Sequence, residues 1–167
     1  DNLRGGSGDD TIWGGSQPSG SDVETVNGDG GNDTLTWAFA RAVGGIGVES
    51  NIPKNGTIGR VVVDMQDVPT GTTFTGTAKF FEEVFQDPSE PIIETHFKNI
   101  ENIIGGALDD QILGDANSNT IQGGEGADII NGRNGNDILD GGRGNDDVSG
   151  GGDDDLIIAS LGNDTYN

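Results

Sequence analysis

The chain has 167 residues, of which 31 are glycine, 31% are hydrophobic and 5% aromatic, with a formal net charge of −21 and no cysteine. That length makes one domain the default, yet so few apolar side chains and so much like charge sit close to the disordered class, where burial cannot offset chain entropy. Eight scattered Lys and Arg argue against nucleic acid and anionic membrane surfaces, the lack of cysteine excludes disulfides and thiolate metal sites, and neither a signal-peptide pattern nor an apolar run near 18 residues occurs.

From the amino terminus, residues 5–13 (GGSGDDTIW) and 28–36 (GDGGNDTLT) share a nine-residue layout. Glycine stands first and fourth, aspartate sixth as Asp10 and Asp33, and an aliphatic residue eighth as Ile12 and Leu35. On this register Asp1 falls at the sixth position of a block whose start is missing, so the chain is expected to be a fragment.

Residues 37–104 lose the nine-residue beat. They hold two strand-like runs, GRVVVDMQ (59–66) and PIIETHFKNIENII (91–104), separated by turns rich in Gly, Thr and Pro. Between them AKFFEEVFQDP (78–88) has apolar residues at 80, 81, 84 and 85, a one-face spacing that predicts a short helix ending before Pro88 and covering the side of the fold.

From Gly105 the beat returns without a break: GGALDDQIL, GDANSNTIQ, GGEGADIIN, GRNGNDILD, GGRGNDDVS, GGGDDDLII, ASLGNDTYN. The sixth column reads Asp110, Asn119, Asp128, Asp137, Asp146, Asp155, Asp164, and the eighth Ile112, Ile121, Ile130, Leu139, Val148, Ile157, Tyr166. One column is acidic and the other apolar. Three residues with an apolar middle suit a short strand with one inward side chain, because alternate residues point to opposite faces. Glycine at the first, second and fourth positions permits positive φ and close approach of backbone to an ion.

This pattern, G-G-x-G-x-D-x-U-x, resembles the calcium-binding nonapeptide of the RTX (repeats-in-toxin) family, and GGEGADIIN and GGRGNDDVS match it at every specified position. The resemblance implies an all-β fold, a right-handed parallel β-roll (a β-solenoid), with calcium ions in the turns, six residues of each block turning and three forming a strand. Two blocks then make one coil of about 18 residues, and the acidic column splits into two ladders stacked at roughly 4.8 Å. The starts at 5 and 28 fit a coil if a bulge near Gly14–Pro18 is inserted, with SGSDVETVN (19–27) between them carrying Glu24 and Val26 in the key positions. On that register Asp10 and Asp33 share an ion, and Asp1 faces Glu24. Arg60–Met65 and Asn99–Asp110 resemble the two ends of an irregular segment that such rolls carry before their regular repeats. The expected organisation is therefore one domain: coils with a bulge over 1–36, a decorated part of the same roll over 37–104, and seven regular repeats over 105–167.

Stacked carboxylates about 5 Å apart repel by roughly 3 kcal/mol per pair at an effective dielectric near 20, so the ladders require cations. Hard oxygen donors suit Ca²⁺, which accepts 6–8 ligands in flexible geometry, better than the stricter Mg²⁺. Ions bridging successive turns give five sites in the regular part, 110/128, 128/146, 146/164, 119/137 and 137/155, so at least five calcium ions are expected. The metal ligands expected from the resemblance are Asp10, Asp33, Asp110, Asn119, Asp128, Asp137, Asp146, Asp155 and Asp164, with carbonyls from Gly105, Gly123, Glu125, Gly126, Gly132, Asn134, Gly135, Gly141, Arg143, Gly144, Gly150 and Gly152. Departures from the pattern are Leu108 and Asp153 at fourth positions, Asp115 and Arg133 at second positions, Asn119 for an acid, and Ala159, Ser160 and Leu161 opening the last block. They rank 128/146 and 137/155 as best formed and 119/137 as weakest.

Catalytic chemistry finds no parts. His96 is the single histidine and neither HExxH nor GxSxG occurs. Glu82, Glu83, Glu90 and Glu94 read as solvated loop acids, not a glycosidase pair. Residues 115–126 begin like an EF-hand loop but place Thr120 at the sharp-turn glycine and Gly126 at the bidentate glutamate. An ice-ordering roll would need a threonine ladder, which the third and fifth columns lack. The sequence therefore predicts a non-enzymatic calcium-binding module of a secreted or cell-surface bacterial protein, of adhesin or surface-layer type. RTX resemblance implies type I export, with folding on calcium outside the cell. Expected partners are calcium, neighbouring domains or surface polysaccharide, with no nucleic acid and no membrane insertion. The alternative is the carboxyl-side module of an exported protease, lipase or epimerase.

Overall fold

The computed structural model describes residues 2–13, 23–36, 59–65, 76–82 and 93–167, and every regular element among them is a β-strand. In chain order these are β1 (Asn2–Ser7), β2 (Thr11–Trp13), β3 (Val23–Gly30), β4 (Thr34–Thr36), β5 (Gly59–Asp64), β6 (Gly76–Glu82), β7 (Ile93–Lys98), β8 (Asn102–Ile104), β9 (Gln111–Leu113), β10 (Thr120–Glu125), β11 (Ile129–Arg133), β12 (Ile138–Arg143), β13 (Asp147–Gly151), β14 (Leu156–Ile158) and β15 (Thr165–Tyr166). They form a six-stranded sheet, β14-β12-β10-β8-β4-β2, and a nine-stranded sheet, β1-β3-β7-β6-β5-β9-β11-β13-β15. Apart from β5, β6 and β7, which follow one another in the nine-stranded sheet, the chain alternates between the two sheets turn by turn, the path of a parallel β-roll.

The eighth-position residues set the register. In the six-stranded sheet Ile12, Leu35, Ile103, Ile121, Leu139 and Ile157 lie in one row across parallel strands. In the other sheet Leu3, Val26 and Phe97 form one row, and Val63, Ile112, Ile130, Val148 and Tyr166 another. Most of these side chains are buried and make up the core between the sheets. Slipping one strand by one residue would expose its core residue, because side chains alternate faces. The pairing of Ile12 with Leu35 places the first two coils 23 residues apart; the bulge assigned to Gly14–Pro18 lies outside the described residues.

Some strands outrun the three-residue expectation. β10 and β12 continue past the first glycines of the next block and through the left-handed Gly124 and Gly142, pairing Gly124 with Gly142 and Glu125 with Arg143, so the parallel ladder keeps satisfying backbone groups into the turn.

The largest departure concerns residues 78–88. Instead of a helix, 78–82 belong to β6, which runs antiparallel between β5 and β7, while 83–88 lie outside the described residues. A short apolar run cannot by itself distinguish helix from strand, and here the β-branched run Val61–Val63 and the chain at Ile93–Phe97 offer two pairing edges. Tertiary pairing overrides the local spacing. The consequence is a wedge. β5 and β6 separate β7 from β9 in one sheet, while β8 and β10 remain adjacent in the other. Two extra strands spread one side of the roll by about 10 Å at ordinary strand spacing, so the coils fan at this point.

Candidate metal sites in the turns

Two positions of the turn use the left-handed backbone that glycine permits. Gly124 and Gly142 hold the second position at φ 121° and 97°, and Gly126 and Gly144 the fourth at 125° and 138°. Among the described residues, four that are not glycine accept the same strain: Asp29 and Arg133 at second positions, Asp153 at a fourth, and Asn99. The first glycine has a different reason. It is not left-handed, but a Cβ on Gly123 would lie 2.3 Å from Asp128 Oδ2 and 2.6 Å from Gly141 O, and a Cβ on Gly132 would lie 2.2 Å from Asp137 Oδ2 and 2.7 Å from Gly150 O. Glycine keeps open a space on which a carboxylate oxygen and a carbonyl of the next coil converge.

The sixth-position side chains stack as two ladders. Each carboxylate uses Oδ1 to accept the N–H of its counterpart one coil earlier: Asp128 from Asp110 (2.8 Å), Asp137 from Asn119 (2.8 Å), Asp146 from Asp128 (2.9 Å), Asp155 from Asp137 (3.0 Å), Asp164 from Asp146 (3.0 Å). Asp33 accepts from Asp10 in the same way at 2.9 Å. The second oxygen has no such bond. Oδ2 of Asp10, Asp33, Asp128, Asp137 and Asp146 is buried without a hydrogen-bond partner. A buried polar atom left unsatisfied costs roughly 1–3 kcal/mol, more when charged.

The electrostatics express the same strain. Burial pushes the Asp128 carboxyl up to about 7, against the lowering effect of the Asp110 N–H and with added repulsion from Asp110, Asp146 and Asp109. Asp137 is raised by burial first, with the Asn119 N–H opposing and Asp155, Asp115 and Asp153 adding; Asp146 is raised by burial, with Asp164 and Asp140 adding.

At three other sixth positions the second oxygen or its equivalent is already engaged. Asp110 Oδ2 accepts the Gly106 N–H at 2.6 Å, Asn119 Oδ1 accepts the Asp115 N–H at 2.9 Å, and Asp164 Oδ2 accepts the Tyr166 hydroxyl at 2.9 Å. Among the backbone candidates, Gly105, Gly123, Gly132, Gly141 and Gly150 are buried, Gly126, Gly135, Gly144 and Gly152 half-buried, and Glu125, Asn134 and Arg143 lie at the exposed rim. The Arg143 carbonyl accepts the Gly126 N–H at 2.8 Å.

Among the described residues no three His, Cys, Asp or Glu side chains gather into a cage. A site here must combine carboxylates from successive coils with main-chain carbonyls. Such an all-oxygen, anionic and irregular donor set fits Ca²⁺ and gives nothing to soft metals. The family model of the RTX calcium-binding nonapeptide repeat matches the chain in four copies, over residues 1–17, 19–36, 104–139 and 132–166. The chain belongs to the RTX calcium-binding nonapeptide repeat family. No curated protein matches it. Outside the repeats, no helix among the described residues is long and apolar enough to cross a membrane.

Two residues of this RTX roll escape a reading by motif. Glu101 occupies the ladder between Asp33 and Asn119: its Oε2 accepts the Asp33 N–H at 2.8 Å, and its carbonyl accepts the Asn119 side chain at 3.2 Å. Extending the nine-residue register backward by one block would have placed Glu101 sixth and Ile103 eighth, but HFKNIENII has no glycine to mark it. Its turn is also short. Asn27 pairs with Lys98 and Thr34 with Asn102, so residues 28–33 make one turn and 99–101 alone make the next. Arg133 is the second: its guanidinium Nη1 donates to the Gly114 carbonyl at 2.7 Å, joining its own turn to the turn below. As for Asp1 and Glu24, the first lies outside the described residues and the side chain of the second is not described.

Proposed function

We propose that this chain is the calcium-dependent folding module of a secreted or cell-surface bacterial protein of adhesin or surface-layer type, without catalytic activity of its own. The observation that carries the reading is the set of five buried, unpartnered carboxylate oxygens, on Asp10, Asp33, Asp128, Asp137 and Asp146. Bound calcium would supply the positive charge these oxygens lack. The residues that would hold it are Asp10 with Asp33, Asp128 with Asp146, Asp137 with Asp155, and Asp146 with Asp164, joined by carbonyls such as those of Gly141 and Gly150. Asp110 and Asn119 contribute less, because hydrogen bonds from Gly106 and Asp115 already occupy the oxygens nearest their first glycines.

The chain's own residues do the rest. The first glycines leave room for the ion, the left-handed second and fourth positions turn the backbone around it, and the Oδ1 hydrogen bonds tie each ligand to the coil before. With about one or two core side chains per block and a net charge of −21, the ordered roll depends on that charge being neutralised. Binding and folding are then a single event. That dependence is compatible with export of an unfolded chain followed by folding at extracellular calcium, about 10⁻⁴–10⁻³ M for modules of this kind. Far-UV circular dichroism in chelator and then through a calcium titration tests the reading. A β-spectrum that appears cooperatively with calcium, and poorly with magnesium, is expected; a full β-spectrum in chelator overturns it.

A further inference from the structure

The turn pair 114–119 and 132–137 departs from the repeat at three residues. Asn119 stands where an acid is expected, and Asp115 and Arg133 where second glycines are expected. Arg133 is left-handed at φ 76°, a conformation that disfavours any side chain. At the equivalent position a Cβ on Gly124, Gly142 or Gly151 would come within 1.9–2.1 Å of a carbonyl of the coil below, so a long side chain there is exceptional within this molecule. The half-buried arginine places Nη1 at 2.7 Å from the Gly114 carbonyl, across the interval between the turns.

Charge and donors agree. Replacing an aspartate by Asn119 removes one negative charge from the ladder. Asp115 supplies another, but its carboxylate accepts the N–H and side-chain amide of Asn117 within its own turn. Arg133 adds one fixed positive charge, since a guanidinium is not deprotonated in proteins. The oxygen that would face an ion, Asn119 Oδ1, converges with Gly132 O on the first glycine, Gly114, but is neutral and already accepts the Asp115 N–H. In the neighbouring pairs the corresponding oxygens of Asp128 and Asp137 belong to carboxyl groups and have no hydrogen-bond partner.

We propose that Arg133 is the resident cation of this turn pair: its guanidinium links the two turns that calcium links elsewhere, so 119/137 takes no ion and the 119–137–155 ladder loads calcium at 137/155 alone. The inference rests on the calcium reading given above. It also gives the roll an internal point of attachment independent of the metal, next to the fan made by β5 and β6.

The test counts ions on the whole chain by native mass spectrometry and calorimetry in calcium. Asn119→Asp, nearly isosteric, restores the missing acid but leaves the arginine, and the count should equal that of the native chain; one additional ion overturns the proposal. Asn119→Asp combined with Arg133→Gly restores the repeat at both positions, and the count should rise by one; an unchanged count in a chain whose circular dichroism in calcium is native also overturns it. Should the double variant fail to fold, Arg133→Lys in the Asn119→Asp background decides, because a retained cation should again block the extra ion, and a gained ion overturns. A native chain that binds no calcium removes the calcium reading and this proposal together, an outcome distinct from an equal, non-zero count in every variant.

Discussion

The turns between residues 123 and 155 and the turn at 99–101 join stacked strands of the same roll with opposite chemistry. In the former, six residues wind through left-handed glycines, and Asp128, Asp137 and Asp146 each end with a buried oxygen that no protein group satisfies. In the latter, three residues suffice, Asn99 alone is left-handed at φ 51°, and the Glu101 carboxylate accepts the Asp33 N–H at 2.8 Å. The regular repeats leave their valence for something outside the chain, and the irregular turn closes its own. On the calcium reading proposed above, this solenoid mixes metal-dependent and metal-independent joints along one stack, and the two kinds differ here in their glycine content.

The comparison breaks most visibly on removing calcium. We expect chelation at neutral pH to abolish the β-signal of the whole chain, because a short self-sufficient turn cannot hold coils whose neighbours repel. Hydrogen exchange should then show no protected remnant at Ile103 or Ile121; protection surviving there would mean that the metal-independent joint is a folding unit by itself.

Within the regular repeats, Asp137→Ala should raise the calcium midpoint about tenfold, equivalent to roughly 1.4 kcal/mol, and lower the ion count in calorimetry. Its Oδ2 and Gly150 O converge on Gly132, and its Oδ1 holds the Asn119 N–H. Asp109 lies beside it in kind but not in place: exposed, with Oδ1 accepting the Ala127 N–H at 2.7 Å. Asp109→Ala should cost about 0.5–1 kcal/mol and leave the count unchanged. Equal effects would mean that the acids act as a diffuse charge field.

Acid should act next. A carboxyl whose folded value lies above its unfolded one binds protons more tightly when folded, so its contribution favours the metal-free fold fully below the unfolded value and is lost as pH rises through the folded value. For Asp128 that window runs from 3.8 to about 7, and Asp137 and Asp146 shift in the same direction. In chelator, lowering pH from about 8 to about 5 should therefore restore part of the β-signal, while in calcium it should raise the midpoint because protons and metal compete. A chelated chain indifferent to pH over that range would show that the buried oxygens are hydrated.

Much of this was legible from spacing. The eighth column became the core rows, and the sixth column became two hydrogen-bonded ladders, because a period of nine leaves only one way to bury a single aliphatic residue per strand. What spacing hid has physical causes. Phe80 and Phe81 sit in a run short enough to suit either period, and the strand β6 exists because two edges were free to pair with it. Glu101 keeps the register but loses the glycines, since a three-residue turn has no space to keep open. Arg133 looked like a mere defect in the repeat until its reach to Gly114 gave the substitution a partner.

The smallest expected effect sharpens the comparison at its other end. Glu101 accepts the Asp33 N–H with a charged oxygen, and a hydrogen bond to a charged group is worth about 1.5–3 kcal/mol at most. That side chain also has a geometric role, because it carries one methylene more than the aspartates and so spans a turn shortened by three residues. Glu101→Gln keeps length and acceptor and should move the calcium midpoint less than twofold. Glu101→Asp keeps charge but not reach, and should move it further than Gln does, with the ion count unchanged in both. The reverse order, Asp tolerated and Gln not, would make Glu101 a charge-dependent ligand like Asp137, and the turn at 99–101 would belong with the metal-dependent joints after all.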